Sequence, residues 1–516
     1  MVRYRRNRNL NDSSSNNSDV DNGSEPLGMR LANSLEENIK KFKETFKNDE
    51  TLIFRHFENQ YVSKVKGCII FIDGMINTDA VNESIINPVV SNNALNEQVN
   101  LIDILKNKVI ISNDISKASD IDKLVEAIIS GDTVLLLEDF REALMINSKG
   151  WQSRGIVEPE TEKVLRGPRE GFTEAIMVNL SLIRRKLKTP DLKFQFKTIG
   201  KRTKTRACIC YIDGIVNPQI IDELNTRLDK MDIDGVLDTG YIQELIRDSR
   251  FSPFRTIGTT ERPDVIVGKM LEGRVALILD GTPIALTVPF IFVELFQSSD
   301  DYYNNYYFTS VSRIIRIISF LITVSVPALY LALITFHQEL IPTDLLISIS
   351  AARQGIPFPT IIEALSLLVV FEILRETGTR MPTYIGQALS IVGALVLGTA
   401  AVDARFVSAP MVIIIGLSGI TGLMTPKVKG AVILMRIMLM LLASFLGLYG
   451  VVFGVSSIII HLFNIRSFGV MYMSGVNTSN FKDIKDTAIR APWWYMTYRP
   501  AFASQKNQKR QQNGGK

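Results

Sequence analysis

Glu363 and Glu372 stand nine residues apart in an otherwise apolar stretch, TIIEALSLLVVFEIL (360–374). On a helix that spacing is about 2.5 turns, so the two carboxylates face opposite sides. An ionisable group at membrane depth is costly and turns toward protein or water. It marks either a cation path or proton-sensitive gate, or a structural ion pair with Arg375, Arg380 or Arg436. Glu372 lies close to the basic loop RETGTR, which leaves Glu363 as the sharper candidate. Gly416, Gly419 and Gly422, with Ser418 among them, form a small-residue stripe, and Gly447, Gly450 and Gly454 form another. Such stripes let helix backbones approach closely, within a subunit, between subunits or around a pore.

Elsewhere the chemistry is sparse. Cys208 and Cys210 share one face of a strand, but no neighbouring His or Cys completes a zinc site, so they read as buried small hydrophobes. Asp73 and Asp213 each precede a glycine and suit either a ligand at a strand end or, more simply, a turn. There is no Walker A, HExxH or GxSxG motif, no paired catalytic carboxylates and no glycine-rich phosphate cradle. No catalytic residue, cofactor or metal is expected, and the chain is not read as an enzyme.

The elements that must position Glu363 are apolar helices. Ranges 317–336, 406–426 and 437–460 carry no Asp, Glu, Lys, Arg or His. A bilayer core roughly 30 Å thick needs about 20 such residues in a helix. Three such runs in one stretch predict an integral membrane protein. The first span, 314–336, carries Pro327, which predicts a kink. Leu345 to Ala352 is too short to span and is read as re-entrant, whereas 385–402 and 406–426 are read as spans. The apolar run 431–462 would be about 48 Å long as one helix, and two short passes are favoured there.

Of 516 residues, 58 are Lys or Arg and 53 Asp or Glu, concentrated before 316 and after 466. The net charge of +5, without basic-aromatic interleaving, does not point to nucleic acid. Arg313 and Arg316 just before the first span, and a basic stretch 466–516, place both flanking regions in the cytoplasm by the positive-inside rule. Three cysteines fit a reducing compartment, and the basic, polar first thirty residues carry no signal-peptide core and predict disorder.

The region before the spans repeats itself. GCIIFIDGMIN (67–77) returns 140 residues later as ACICYIDGIVN, with six of eleven positions identical. A second match aligns a helix stopped by Gly131 or Gly273, a strand, a turn at Glu138-Asp139 or Asp280-Gly281, and another strand. The reading is a duplicated α/β module, copy one about 60–150 and copy two about 200–290. Residues 31–57 read as an amphipathic helix and 170–187 as a connecting helix. The apolar run from Val275 reads as a hairpin by analogy with copy one. An interfacial elbow follows at 289–300, with Phe290, Phe292 and Phe296, and then Tyr302, Tyr303, Tyr306 and Tyr307 at headgroup level. The expected layout is 1–30 tail, 31–198 first module and connecting helix, 199–300 second module and elbow, 301–465 transmembrane domain and 466–516 tail. The fold class is thus a duplicated α/β cytoplasmic region followed by a polytopic α-helical membrane domain.

The stretches YIDGIVNPQIIDEL, SPFRTIGTTERPDVIVGKMLEGRVALILDGTP, VPFIFVELFQSSDDYY, ELIPTDLLISISAARQGIPFPTIIEAL, EILRETGTRMPTYIGQALSIVGALVLG and FKDIKDTAIRAPWW resemble the A subunit of the GerA-type spore nutrient germinant receptors, over roughly 170–500. That resemblance implies a polytopic B subunit and a lipoprotein C subunit as partners in the spore inner membrane. It also implies a nutrient response that triggers ion release, and a homo-oligomer of this subunit forming a gated cation channel. On that reading Glu363, Pro327, Gly416, Gly419, Gly422 and Arg436 are candidates for pore or gate, and Phe290, Phe292 and Phe296 for coupling. The alternatives are a secondary transporter, supported by Pro- and Gly-broken helices but not by any repeat in the membrane half, and a non-conducting scaffold for the receptor partners.

Overall fold

The structure is a computed structural model that describes residues 30–62, 65–92, 101–150, 158–159, 161–380, 398–476, 486–504 and 507–510. The expected disordered tail, apart from Arg30, and most of the expected span at 385–402 lie outside the described residues.

The two apolar runs that end in Asp-Gly become central strands of two antiparallel sheets. The first sheet contains Leu52–Glu58 (β1), Lys66–Ile72 (β2), Ile115–Ala118 (β3), Thr133–Leu137 (β4) and Ala143–Ile146 (β5), in the order β1-β2-β4-β5-β3. The second contains Leu192–Ile199 (β6), Thr205–Ile212 (β7), Gly258–Thr260 (β8), Val275–Leu279 (β9) and Ala285–Val288 (β10), in the matching order β6-β7-β9-β10-β8. Both faces of each sheet are covered. Cys68, Ile70 and Leu136 pack on one side of the first sheet, and Ile69, Phe71 and Leu135 on the other. Successive side chains alternate between these cores, which is why the strands read as unbroken apolar runs. Cys208 and Cys210 are fully buried in the second module, beside Ala276 and Ile278.

The duplication reaches further back than the sequence match. Residues 31–57 divide into a helix, Leu35–Thr45, and β1, because the aromatic and branched run LIFRHF suits a pleated surface. The helix Ile176–Lys186 is its counterpart and opens the second module rather than merely connecting the two. Each helix carries a buried asparagine that grips the preceding backbone. Asn38 pairs with both the N–H and the carbonyl of Ala32 at 2.8 Å, and Asn179 pairs with those of Thr173 at 2.8 and 2.6 Å. A turn carboxylate receives the first N–H of each helix: Glu138 from Leu35 at 3.2 Å and Asp280 from Ile176 at 3.0 Å.

The modules meet where the turn before β1 lies against β6 and Arg184. Arg184 donates to Asp49 at 2.5 Å, both side chains fully buried, and its guanidinium lies over the Phe194 ring at 4.7 Å. Glu50 N donates to the Phe194 carbonyl, and Phe196 N to the Glu50 carboxylate, both at 3.0 Å.

After β10 the chain becomes helical. The first long helix is Tyr306–Phe336, in which Pro327 is buried without ending the helix. Thr343–Arg353 follows with no buried side chain, then Thr360–Arg380 and Ala409–Gly422. Lys429–Asn464 breaks at Gly447, whose φ of 58° and ψ of −138° interrupt the helix in a conformation that residues bearing a Cβ adopt poorly. Its arms, 429–446 and 448–464, fold back on each other: a Cβ on Gly450 would stand 2.2 Å from the Leu442 carbonyl oxygen. Each arm is about 26 Å long, so the run expected to make two short passes folds as a helical hairpin. The hairpin tip rests against Phe336 and His337, at the far end of the first long helix. Its second arm returns to the module side, where His461 shares a 3.0 Å hydrogen bond with Ser252.

Among the described residues, two helical stretches are apolar and long enough by length and composition to cross a membrane: Tyr306–Phe336 and Pro426–Asn464, the second folded at Gly447. Leu321, Ile413, Phe445 and Phe453 are exposed on the outside of this bundle, where water would be a poor solvent and lipid a good one.

Removing one partner of the intermodule pair leaves a buried charge uncompensated. Arg184→Met is expected to destabilise the modules by about 3–5 kcal/mol. The double replacement Asp49→Asn/Arg184→Met should recover most of that loss, as measured by denaturant unfolding of the full chain in detergent.

Candidate functional site

The site is built where the second module hands over to the helices. After β10, two short 3₁₀ turns, Phe292–Phe296 and Ser299–Tyr302, lead to Asn305, whose side chain caps the first long helix by accepting from Tyr307 N at 3.1 Å.

Two buried carboxylates anchor these turns. Glu294 bonds Arg274, accepts from Lys269 at 2.8 Å and accepts from Ile291 N at 2.9 Å, while Arg274 also donates to the Pro289 carbonyl at 2.8 Å. Burial alone would raise the pKa of Glu294, but Arg274 and Lys269 override it and hold the carboxyl at about 2. Asp301 accepts from Arg313 at 2.8 Å and from Arg316 at 2.5 Å. Burial again opposes ionisation, and the two guanidinium groups, Arg316 first, keep Asp301 below the usual carboxylate range. Arg313 reaches onward to Asp486 at 2.7 Å, and Asp486 also accepts from the Tyr302 hydroxyl at 2.7 Å. One ion cluster therefore joins the elbow, the first long helix and the C-terminal segment.

An aromatic cluster lies beside it. Phe292 packs edge-on against Phe254, Phe296, Phe320 and Tyr472 with centroids 5.3–6.3 Å apart, and Phe296 meets Phe320 at 5.4 Å. Phe290 and Phe296 are buried, and Phe290 N donates to Ser467 at 3.0 Å. The elbow phenylalanines thus face protein rather than a lipid surface, because residues of the second module and the post-hairpin segment cover them. Tyr302 and Tyr303 differ from the headgroup expectation in the same way, since their hydroxyls are held by Asp486 and Asp264. Tyr307 is exposed.

Deeper among the helices, the polar candidates divide into two groups. Arg436 donates to Ser418 at 2.9 Å and to Glu372 at 2.8 Å, and Glu372 also bonds Arg375. Ser418 in turn donates to the Thr323 carbonyl at 3.0 Å. Gly419 and Gly422 lie alongside: a Cβ on Gly419 would overlap the Phe371 ring, and one on Gly422 would sit 3.3 Å from the Thr323 methyl. Gly416 faces open space. Glu363 stands apart from Arg436. Its Oε1 accepts from both the backbone N–H and the hydroxyl of Ser408 at 2.5 Å, while Oε2, though buried, has no hydrogen-bond partner.

Sequence reasoning singled out Arg313 and Arg316 for their charge but missed their partners. Asp301 and Asp486 lie 185 residues apart, and only the fold brings them together. The available signal was the acidic pair in SSDD immediately before a helix carrying two arginines. Arg274 and Glu294 carried no signal, lying in what reads as hairpin and elbow.

A duplicated α/β region is bonded to a helical bundle that contains two long apolar helical stretches, and the two parts form one continuous structure. The chain belongs to the GerA family: the profile described as Bacillus/Clostridium GerA spore germination protein matches residues 40–502. It is 39% identical over 483 residues to spore germination protein KA of Bacillus subtilis (strain 168), covering 93% of this chain and 89% of that one. It is 36% identical to spore germination protein GerLA of Bacillus cereus, covering 93% and 97%. An uncharacterized membrane protein of B. subtilis, YfkQ, is 40% identical, covering 92% and 93%. The crystal structure of the N-terminal domain of the A subunit of the Bacillus megaterium spore germinant receptor GerK3 is 33% identical, covers 52% of this chain and 98% of that domain, and has a TM-score of 0.41.

Because the folded pKa of Glu294 is depressed from 4.5 to about 2, its stabilising contribution is complete above pH 4.5 and is lost as pH falls toward 2. That contribution is on the order of 3 kcal/mol. Glu294→Gln should lower the thermal midpoint at pH 7 and flatten the wild-type decline between pH 4.5 and 2. A midpoint profile parallel to wild type would contradict the assignment.

Proposed function

We propose that this chain is the A-type subunit of a spore germinant receptor, working with a polytopic B subunit and a lipoprotein C subunit in the spore inner membrane. Copies of the chain oligomerise into a gated cation-conducting assembly, with the modules and the C-terminal segment in the cytoplasm. Nutrient bound by the complex shifts the helices between two arrangements, and the shift is as large as the nutrient's differential affinity for them. The modules transmit or receive that shift through the elbow.

The observation that carries the reading is the junction. A soluble region bonded to the first long helix through buried Asp301 and Arg313, with Arg316 and the half-buried Asp486 beside them, cannot reorient without moving the helix. Glu363 supports the conducting part of the proposal. It is a buried carboxylate among apolar helices with one oxygen unbonded, and so is able to attract a cation when neighbouring helices part. Arg436 and the Gly419–Gly422 edge act as the packing seam along which the helices move.

Spores whose only receptor contains this subunit are the system for the test. Prompt K⁺ release without nutrient accumulation is expected for wild type. Glu363→Gln should slow that release at least tenfold while the subunit remains at wild-type abundance. Stoichiometric nutrient uptake would instead make the chain part of a transporter, and release unchanged by Glu363→Gln would place the ion path elsewhere.

A further inference from the structure

The two modules differ in one informative place. In the first, the chain continues past β5, and Lys149 forms an antiparallel bridge with Ile76, just after the β2 turn. Ser148 accepts from Asn77 N at 2.8 Å, and its hydroxyl bonds Thr133 at 2.6 Å, so this stretch closes the edge of the module beside Gly131. In the second module the equivalent stretch is missing, because after β10 the chain turns away at Pro289 to build the elbow. The vacated edge is filled by the C-terminal segment. Ser504 forms the antiparallel bridge with Val216, the counterpart of Ile76. Ala503 and Ser504 are fully buried, and a Cβ on Gly273, the counterpart of Gly131, would stand 2.7 Å from the Ala503 carbonyl oxygen.

The segment is held as a loop. Tyr498 bridges Lys509, Arg499 N donates to the Gln508 carbonyl at 2.8 Å, and Arg510 N donates to that of Thr497 at 2.8 Å. Arg499 Nε donates to the Leu271 carbonyl at 2.8 Å. Phe502 lies under the guanidinium of Arg274, 5.3 Å from its ring centre. Arg274 is the residue that bonds Glu294 and the Pro289 carbonyl in the elbow. The tail is therefore one side chain removed from the element that joins module to helix.

We infer that residues 499–504 are a detachable edge of the second module, a latch that replaces the stretch used in cis by the first module and that fixes the elbow through Phe502 and Arg274. A segment joined covalently to its edge strand cannot leave. One supplied from the far end of the chain can, and its departure removes the aromatic face from Arg274 and opens the edge beside Gly273. The latch gives the C-terminus control over the rigidity of the elbow. This inference rests on the duplication and stands whether or not the assembly conducts ions.

Hydrogen exchange on the full chain in lipid nanodiscs tests it, with elbow amides 290–297 as the readout and β2 and β4 amides of the first module as the internal control. Phe502→Ala, and separately truncation after residue 498, should speed elbow exchange about five- to tenfold and leave the control amides unchanged; that factor corresponds to a typical cation–π contact. Val216→Cys/Ser504→Cys should form a disulfide under mild oxidant, since directly opposed antiparallel residues have suitable spacing, and should hold elbow exchange at or below the wild-type rate while Phe502 is present, without restoring it in the Phe502→Ala background. Failure of the pair to cross-link would overturn the docking. Faster exchange confined to the tail, with the elbow unchanged, would overturn the latch and leave the tail a passive filler.

Discussion

Asp301 is the residue on which the two halves of this protein depend. It lies buried between Arg313 and Arg316 of the first long helix, in the turn Ser299–Tyr302 that leads from the second sheet into that helix. A carboxylate in that position is tolerable only while both guanidinium groups face it, and they are tolerable only while the carboxylate stays. Arg313 also needs Asp486, which ties the C-terminal segment into the same balance. No member of the cluster can be withdrawn without leaving a desolvated charge. The cost of breaking it therefore falls on the relative placement of module, helix and tail. Beside it, Phe292 and Phe296 fill the space between Phe254 of the second module and Phe320 of the first long helix, so apolar packing and ion pairing constrain the same joint.

Duplication explains why the joint exists where it does. Both modules use the same strand order, the same asparagine grip on the backbone before the first helix and the same turn carboxylate at its start. The first module spends the segment after its last strand on closing its own edge. The second diverts that segment into the elbow and closes its edge with residues from the end of the chain. A fold built twice has acquired a connection to the helices by giving up one local contact and recovering it from afar. The buried Asp49–Arg184 pair holds the first module to the second.

Much of this was legible in the sequence, for identifiable reasons. The paired IDG motifs lie on central strands covered on both faces, where period-two alternation disappears and a continuous apolar run remains, so the repeat was visible there. The helices Leu35–Thr45 and Ile176–Lys186 escaped the match because their shared features are one buried asparagine each and an apolar stripe, which many helices possess. The two-pass reading of 431–462 rested on its length together with the basic stretch that follows it, and Gly447 supplies the turn between two helical arms. Arg436 was legible as one of three arginines able to pair with the two glutamates, but that it bonds Glu372 directly and Ser418 beside it requires knowing which helices are neighbours. The ion cluster at the elbow was out of reach for the same reason: Asp301 and Asp486 are brought together by tertiary structure, and charge spacing carries no trace of it. The phenylalanines of the elbow read as interfacial because their covering residues come from Phe254 and Tyr472, distant in the chain on either side.

The central claim is that the Asp301 cluster transmits between the modules and the helices, rather than merely holding them together. The most direct measurement is nutrient-triggered K⁺ release from spores carrying Asp301→Asn in this subunit as their only receptor, with subunit abundance and partner assembly quantified in the same preparation. Asparagine preserves the shape and one acceptor but removes the charge that satisfies Arg313 and Arg316. The account predicts an assembled receptor whose release is slowed tenfold or more. Wild-type release from a receptor assembled at wild-type abundance would contradict it, and would reduce the cluster to a structural fastening.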